Sequence, residues 1–184
     1  SQLLADLGHE VVDVDPPFGP ELVPMFEVLW SVLALLTPVP PEQEERLLPL
    51  TRWLRDRGRA VDGLSLATAV SLLRLSTRAA AAATAGVDAV LTPTLAQLPA
   101  PVGGLRDDDD PAADFEAQKR FTPFTAPYNV TGQPAVSLPL HWTEDGLPVG
   151  VQLVGRANDE ATLIRLAAQL ETARPWADRR PVGW

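Results

Sequence analysis

Two apolar runs joined by a short polar turn limit this chain's fold more than any other feature. Pro134-Ala-Val-Ser-Leu-Pro-Leu140 reads as a strand with proline at its margins, and Leu147-Pro-Val-Gly-Val-Gln-Leu-Val154 reads as the returning strand. Thr143-Glu-Asp-Gly146 lies between them. Asp-Gly is a strong turn pair because glycine takes positive φ at no steric cost. A third run, Val87-Asp-Ala-Val-Leu-Thr92, stops at Pro93 and is apolar enough for burial on both faces. Strands of this kind need helices on each side, which places the chain in the α/β class.

The helices have clear signals. Ser1–Gly8 reads as the last turns of a helix, with Leu3, Leu4 and Leu7 on one face and Gly8 as its left-handed end. His9–Asp15 then reads as a short strand, with Val12 and Val14 on one side and Asp13 and Asp15 on the other. A helix end, a glycine and a strand form the closing half of an α/β unit. We therefore expect the opening half to lie upstream, the alternative being a domain that begins with a short helix. Leu22, Met25, Phe26, Leu29, Trp30, Leu33 and Leu36 recur at helical spacing until Pro38-Val-Pro-Pro41 ends the pattern. Glu42–Arg59 reads as a charged, shorter helical piece with a new start at Pro49. Ser65 is the expected N-cap of a long helix running to about Ala85, with Gly86 as its C-cap. Asp114–Arg120 reads as a short helix. Asn158 or Asp159 caps a last helix with Leu163, Ile164, Leu166, Ala167 and Leu170 on its apolar side.

Composition narrows the chemistry. Cysteine is absent, so disulfides, thiolate metal sites and a cysteine nucleophile are excluded. His9 and His141 are the only histidines, too few for a self-contained zinc site. The 24 acidic and 15 basic residues give a net charge of −9, which repels phosphate backbones and anionic membranes. The acidic run Asp107–Asp110 lacks the spaced ligands and the glycine of a calcium loop and reads as a solvated turn. No apolar run is long enough to span a bilayer, and a soluble, cytoplasmic protein is the default expectation. The phosphate-binding, dinucleotide-binding, G-x-S-x-G and H-E-x-x-H motifs do not occur.

One series of motifs is specific. Asn129-Val-Thr-Gly-Gln-Pro-Ala-Val-Ser-Leu-Pro139 is followed by Gly146-Leu-Pro-Val-Gly-Val-Gln-Leu-Val-Gly155 and then by Asp159-Glu-Ala-Thr-Leu163. Asp88-Ala-Val-Leu-Thr-Pro-Thr94 and Leu7-Gly-His-Glu-Val-Val12 precede them. This series resembles the C-terminal end of the amidase signature family, over essentially residues 1–184. The resemblance implies a mixed β-sheet covered by helices on both faces. It also implies hydrolysis of C–N bonds in a small-molecule amide, with no cofactor and no metal. Such enzymes use a serine nucleophile, a second serine in a cis peptide and a lysine base, because a serine hydroxyl is a weak nucleophile until a neutral lysine takes its proton through the bridging serine. Those residues belong to a Gly/Ser-rich stretch and an upstream lysine that this sequence lacks. Its single lysine is Lys119. No catalytic residue is therefore expected in this chain, which would be inactive alone. Subunits of glutamine-using amidotransferases are similar here but tend to carry an acid where Thr122-Pro-Phe-Thr125 stands, which favours a simple amide hydrolase. The alternative is a non-catalytic binding or scaffold module that keeps this architecture. The resemblance leaves a homodimer open for the full-length enzyme.

Ligands of α/β sheets gather beyond the carboxyl ends of strands. The expected substrate-binding residues are therefore Thr92 and Thr94 at such an end, with Asn129, Thr131, Gly132 and Gln133 in a loop leading into the next strand. Asn129 could instead hold its own turn, and Gln133 could bridge backbone. Tyr128 and Trp30 are expected either in the core or lining an apolar pocket.

Overall fold

The computed structural model describes residues 1–180, which form two compact units. The first comprises Ser1–Pro17, Ala81–Pro99 and the chain from Phe124 onward. It holds α1 (Gln2–Asp6), β1 (Ala89–Pro93), α6 (Ala126–Thr131), β2 (Ala135–Trp142), β3 (Pro148–Gly155) and α7 (Glu160–Ala173). The second comprises Phe18–Ala80 and Ala100–Pro123. It holds α2 (Val23–Leu33), α3 (Pro49–Arg59), most of α4 (Gly63–Ala83) and α5 (Pro111–Phe121).

The α/β class read from the sequence is the class observed. The three strands form one antiparallel sheet in the order β1-β3-β2. The turn between β2 and β3 closes as its residues dictate. Gly146 sits at φ +86°, and the Thr143 amide donates to the Leu147 carbonyl at 2.9 Å. One sheet face carries Leu138, Leu140 and Leu153, which pack on Leu163 and Leu170 of α7. Leu3, Leu4 and Leu7 of the first helical segment join this core. Asp159 caps α7 by accepting from the Thr162 amide at 3.3 Å.

In the second unit the buried Arg55 binds Glu44 through two nitrogens and donates to the carbonyls of Ala34 (2.6 Å) and Thr37 (3.1 Å). Gly58 is required beside it, because a Cβ there would stand 2.3 Å from the Ser31 carbonyl oxygen. Trp30, Trp53 and Phe115 form an aromatic cluster, with Phe115 centred 6.3 Å from Trp30 and 5.7 Å from Trp53. The acidic run is engaged in local bonds: Asp110 caps α5, Asp107 accepts from the amides of Asp109 and Asp110, and Asp108 pairs with Arg106.

Four sequence expectations need correction. His9–Asp15 is irregular rather than a strand, and Val11, Val12 and Val14 are exposed. Alternation makes a segment able to pair, but a strand exists only with a ladder, and none reaches it among the described residues. Asp62, not Ser65, caps α4, because both the amide and the hydroxyl of Ser65 donate to its carboxylate. These bonds hold Asp62 below the usual carboxylate range. The helix stops at Ala83, and Gly86 does not adopt positive φ; the amides of Ala85 and Val87 close the end with tight bonds to Ala82 and Thr84. Residues 129–131 are helical rather than loop. Pro127 starts α6 and Gly132, at φ +70°, ends it.

Candidate substrate-binding face

The sheet face turned away from α7 carries buried Val90 and Val154 at one end and polar side chains beyond them. Thr92 pairs with Gln152, and Gln152 pairs with Ser137, so the three lie side by side across β1, β3 and β2. Side chains alternate along each strand, which puts this row opposite Leu91, Leu153 and Leu138. The carboxamide nitrogen of Gln152 donates to Thr92 Oγ1 at 3.1 Å and to the Phe124 carbonyl at 3.0 Å. The second bond anchors the chain at the entry to α6. Gln152 is 4% exposed.

A second pair lies next along the sheet. The Thr94 amide donates to the Gly150 carbonyl at 3.2 Å, and Thr94 Oγ1 meets Ser137 Oγ at 2.7 Å. The two hydroxyls join directly over β3. A Cβ on Gly150 would stand 2.7 Å from Ser137 Oγ and 2.9 Å from Thr94 Oγ1, so the bridge needs a glycine beneath it. Thr92 and Thr94, both expected as site residues, are thus brought together with Ser137, Gly150 and Gln152, which sequence reasoning did not select. The signal was present: Ser137, Gly150 and Gln152 interrupt otherwise apolar strands, and Gly150 and Gln152 are two apart, on one face.

The other expected residues gather elsewhere. Gln133 Nε2 donates to the Gly155 carbonyl at 2.9 Å, so it bridges backbone. Thr131 Oγ1 donates to the Tyr128 carbonyl at 3.3 Å and accepts from the Gln133 amide at 3.3 Å. Gly132 caps α6, and Asn129 is exposed on it. Gly155 and Gly150 lie at opposite ends of β3, about 17 Å apart at strand rise, so the Gln133 group and the Thr94 pair do not meet. Tyr128 is buried, and burial pushes its phenol up. Trp30 belongs to the aromatic cluster and keeps an exposed face.

Lys119 has the wrong electrostatics for a base. Burial alone would lower its pKa, but Glu116 and Glu27 both accept its hydrogen bonds and the net shift is upward. A lysine base must instead lose its charge readily. Among the described residues no helix is long and apolar enough to cross a membrane.

A helix-backed antiparallel sheet carrying the motif series in order defines an α/β domain. The profile of the Amidase family matches residues 1–164, and the chain belongs to that family. It is 37% identical to the candidate amidase AmiC of Mycobacterium tuberculosis over 95% of its own length and 38% of that protein's. It is 39% identical to the candidate amidase AmiB2 of the same organism over 97% and 38%. Among solved structures it superimposes on 6-aminohexanoate cyclic dimer hydrolase with a TM-score of 0.85 and 28% identity, covering 98% of this chain and 41% of that one. A bacterial aryl acylamidase of the amidase signature family shares the fold at a TM-score of 0.70 and 19% identity, over 98% and 41% of the two chains. The chain thus spans about two fifths of the length of these relatives.

Proposed function

We propose that residues 1–184 are the C-terminal portion of an amidase, which cleaves the C–N bond of a small-molecule amide through a serine, a cis-serine and a lysine outside this sequence. The observation that carries this reading is the family match over residues 1–164, in a sequence with no Gly/Ser-rich stretch and whose one lysine is held charged by two carboxylates. In this reading the nucleophile attacks the amide carbon, backbone amides hold the oxyanion, and water releases the acid. This chain supplies sheet, covering helices and substrate contacts. Thr92 and Thr94 are the contacts on the sheet face turned away from α7, and Asn129, Thr131, Gly132 and Gln133 border the entry to β2. Alone, the chain turns over no amide.

The test is a panel of aryl and alkyl amides, with a serine-reactive probe, run on the full-length gene product and on this chain. Turnover and labelling at a serine outside residues 1–184, with neither in the chain alone, is the expected result. Labelling of a serine within the chain, with turnover lost on its Ser→Ala change, overturns the reading.

A further inference from the structure

We propose that the row Thr92–Gln152–Ser137 recognises the hydrogen-bonding edge of a primary carboxamide or lactam. This deepens the amidase reading and rests on it, adding Gln152 and Ser137 to the residues that meet substrate.

The donors of Gln152 are committed within the fold while, among the described residues, its acceptor is not. Both N–H groups of the Gln152 carboxamide are used, on Thr92 Oγ1 and the Phe124 carbonyl, and these two bonds fix its plane. Its Oε1 accepts no hydrogen bond among the described residues, although nine tenths of the residue is buried. Nor is that oxygen sealed inside the protein. The fully enclosed side-chain polar atoms without a partner, among the described residues, are Ser31 Oγ and Arg52 Nε. An open acceptor on a buried, immobilised amide is one that a ligand N–H satisfies at little ordering cost. Thr92 Oγ1 accepts from Gln152, so its own proton is free to donate. In the Thr94–Ser137 pair one hydroxyl donates to the other, which leaves the second proton uncommitted. One acceptor and two donors therefore share a sheet face, beside the point where the Ser137 and Thr94 hydroxyls close over Gly150.

A ligand matches this pattern if it offers an N–H and a carbonyl oxygen on the same edge. Primary carboxamides and small lactams do. A trans secondary amide presents the two on opposite sides and engages one partner at a time. A carboxylate has no proton to give to Oε1 and sets charge against it.

The experiment is an NMR titration of the ¹⁵N-labelled full-length gene product, its probe-labelled nucleophilic serine changed to Ala so that no compound is consumed, with propionamide, δ-valerolactam, N-methylpropionamide and propionate. The first two should give saturable shifts of the Gln152 side-chain amide and of the Thr92 and Ser137 backbone signals. The last two should bind at least about fivefold more weakly, the loss expected for one net hydrogen bond. Thr92→Val should remove the preference and Thr92→Ser restore it. Ser137→Ala, at an exposed position, should weaken propionamide binding and serves if the Thr92→Val chain does not fold. Equal response to all four compounds, no shift along the row, or an unchanged preference in both Thr92→Val and Ser137→Ala overturns the proposal. If the full-length protein hydrolyses amides while the row stays silent, this inference fails and the amidase reading stands; if the row binds amides and the full-length protein hydrolyses none, the amidase reading fails.

Discussion

Thr94 and Ser137 are 43 residues apart in sequence, yet their hydroxyl oxygens lie 2.7 Å apart over the bare backbone of Gly150. Neither strand could hold that contact if β3 carried a side chain at this point.

Gly150→Ala should therefore destabilise the protein by about 1–3 kcal/mol, the usual cost of forcing a methyl into filled space. The Ser137→Ala background should remove part of that loss, because one of the two oxygens crowding the methyl is gone. Denaturant midpoints of the single and double mutants give the coupling directly. Strict additivity would show that the crowding is relieved elsewhere.

Arg55 is 5% exposed and holds Glu44 together with two carbonyl oxygens. Arg55→Ala leaves the two carbonyls without their donor and Glu44 with Arg59 alone, and should cost about 1–3 kcal/mol, as leaving buried acceptors unsatisfied does. The Arg55 hydrogen bond is also the main reason that Glu44 titrates below its ordinary 4.5. A carboxyl with a depressed folded pKa adds stability that is complete above its unfolded pKa and lost as pH falls through the folded one. The wild-type protein should thus weaken below about pH 4.5, and Glu44→Gln should flatten that limb. Urea melts between pH 3 and 6 check the sign; an unchanged slope in Glu44→Gln assigns the acid sensitivity to other carboxyls.

Asn129 and Gln133 should separate by phenotype in the full-length protein. Gln133→Ala removes the bond to the Gly155 carbonyl and should cost stability, about 1 kcal/mol. Asn129 is exposed, so Asn129→Ala should leave the melting temperature in place. If Asn129 meets substrate, kcat/KM should fall by the equivalent of about 1–3 kcal/mol. Normal kinetics in the folded Asn129→Ala protein removes that residue from the site.

The chain alone should self-associate or fold only marginally, despite its charge of −9. Val11, Val12 and Val14 are exposed on a segment without a ladder, and β1 and β2 each pair on one side only among the described residues. Open edges and uncovered apolar surface invite pairing with other chains. Light scattering and thermal unfolding at micromolar concentration decide. A monodisperse monomer melting above about 60 °C would show that these surfaces need no cover.

The sequence by itself determined what depends on neighbours along the chain. The β2–β3 turn, the Asp159 cap and the left-handed Gly8 follow from residues within a few positions of one another. The motif series, also local, was enough to imply the family. Tertiary structure decided what depends on pairing. His9–Asp15 has the alternation of a strand but no partner, so it is not one. Asn129 reads as loop, yet Pro127 and Gly132 bracket a helix whose entry is tied to Gln152 across the fold. Ser137, Gly150 and Gln152 looked like ordinary strand residues until register set them beside Thr92 and Thr94. A side chain's alternation states which face it takes, but only the ladder between strands decides which residues share that face at hydrogen-bonding distance.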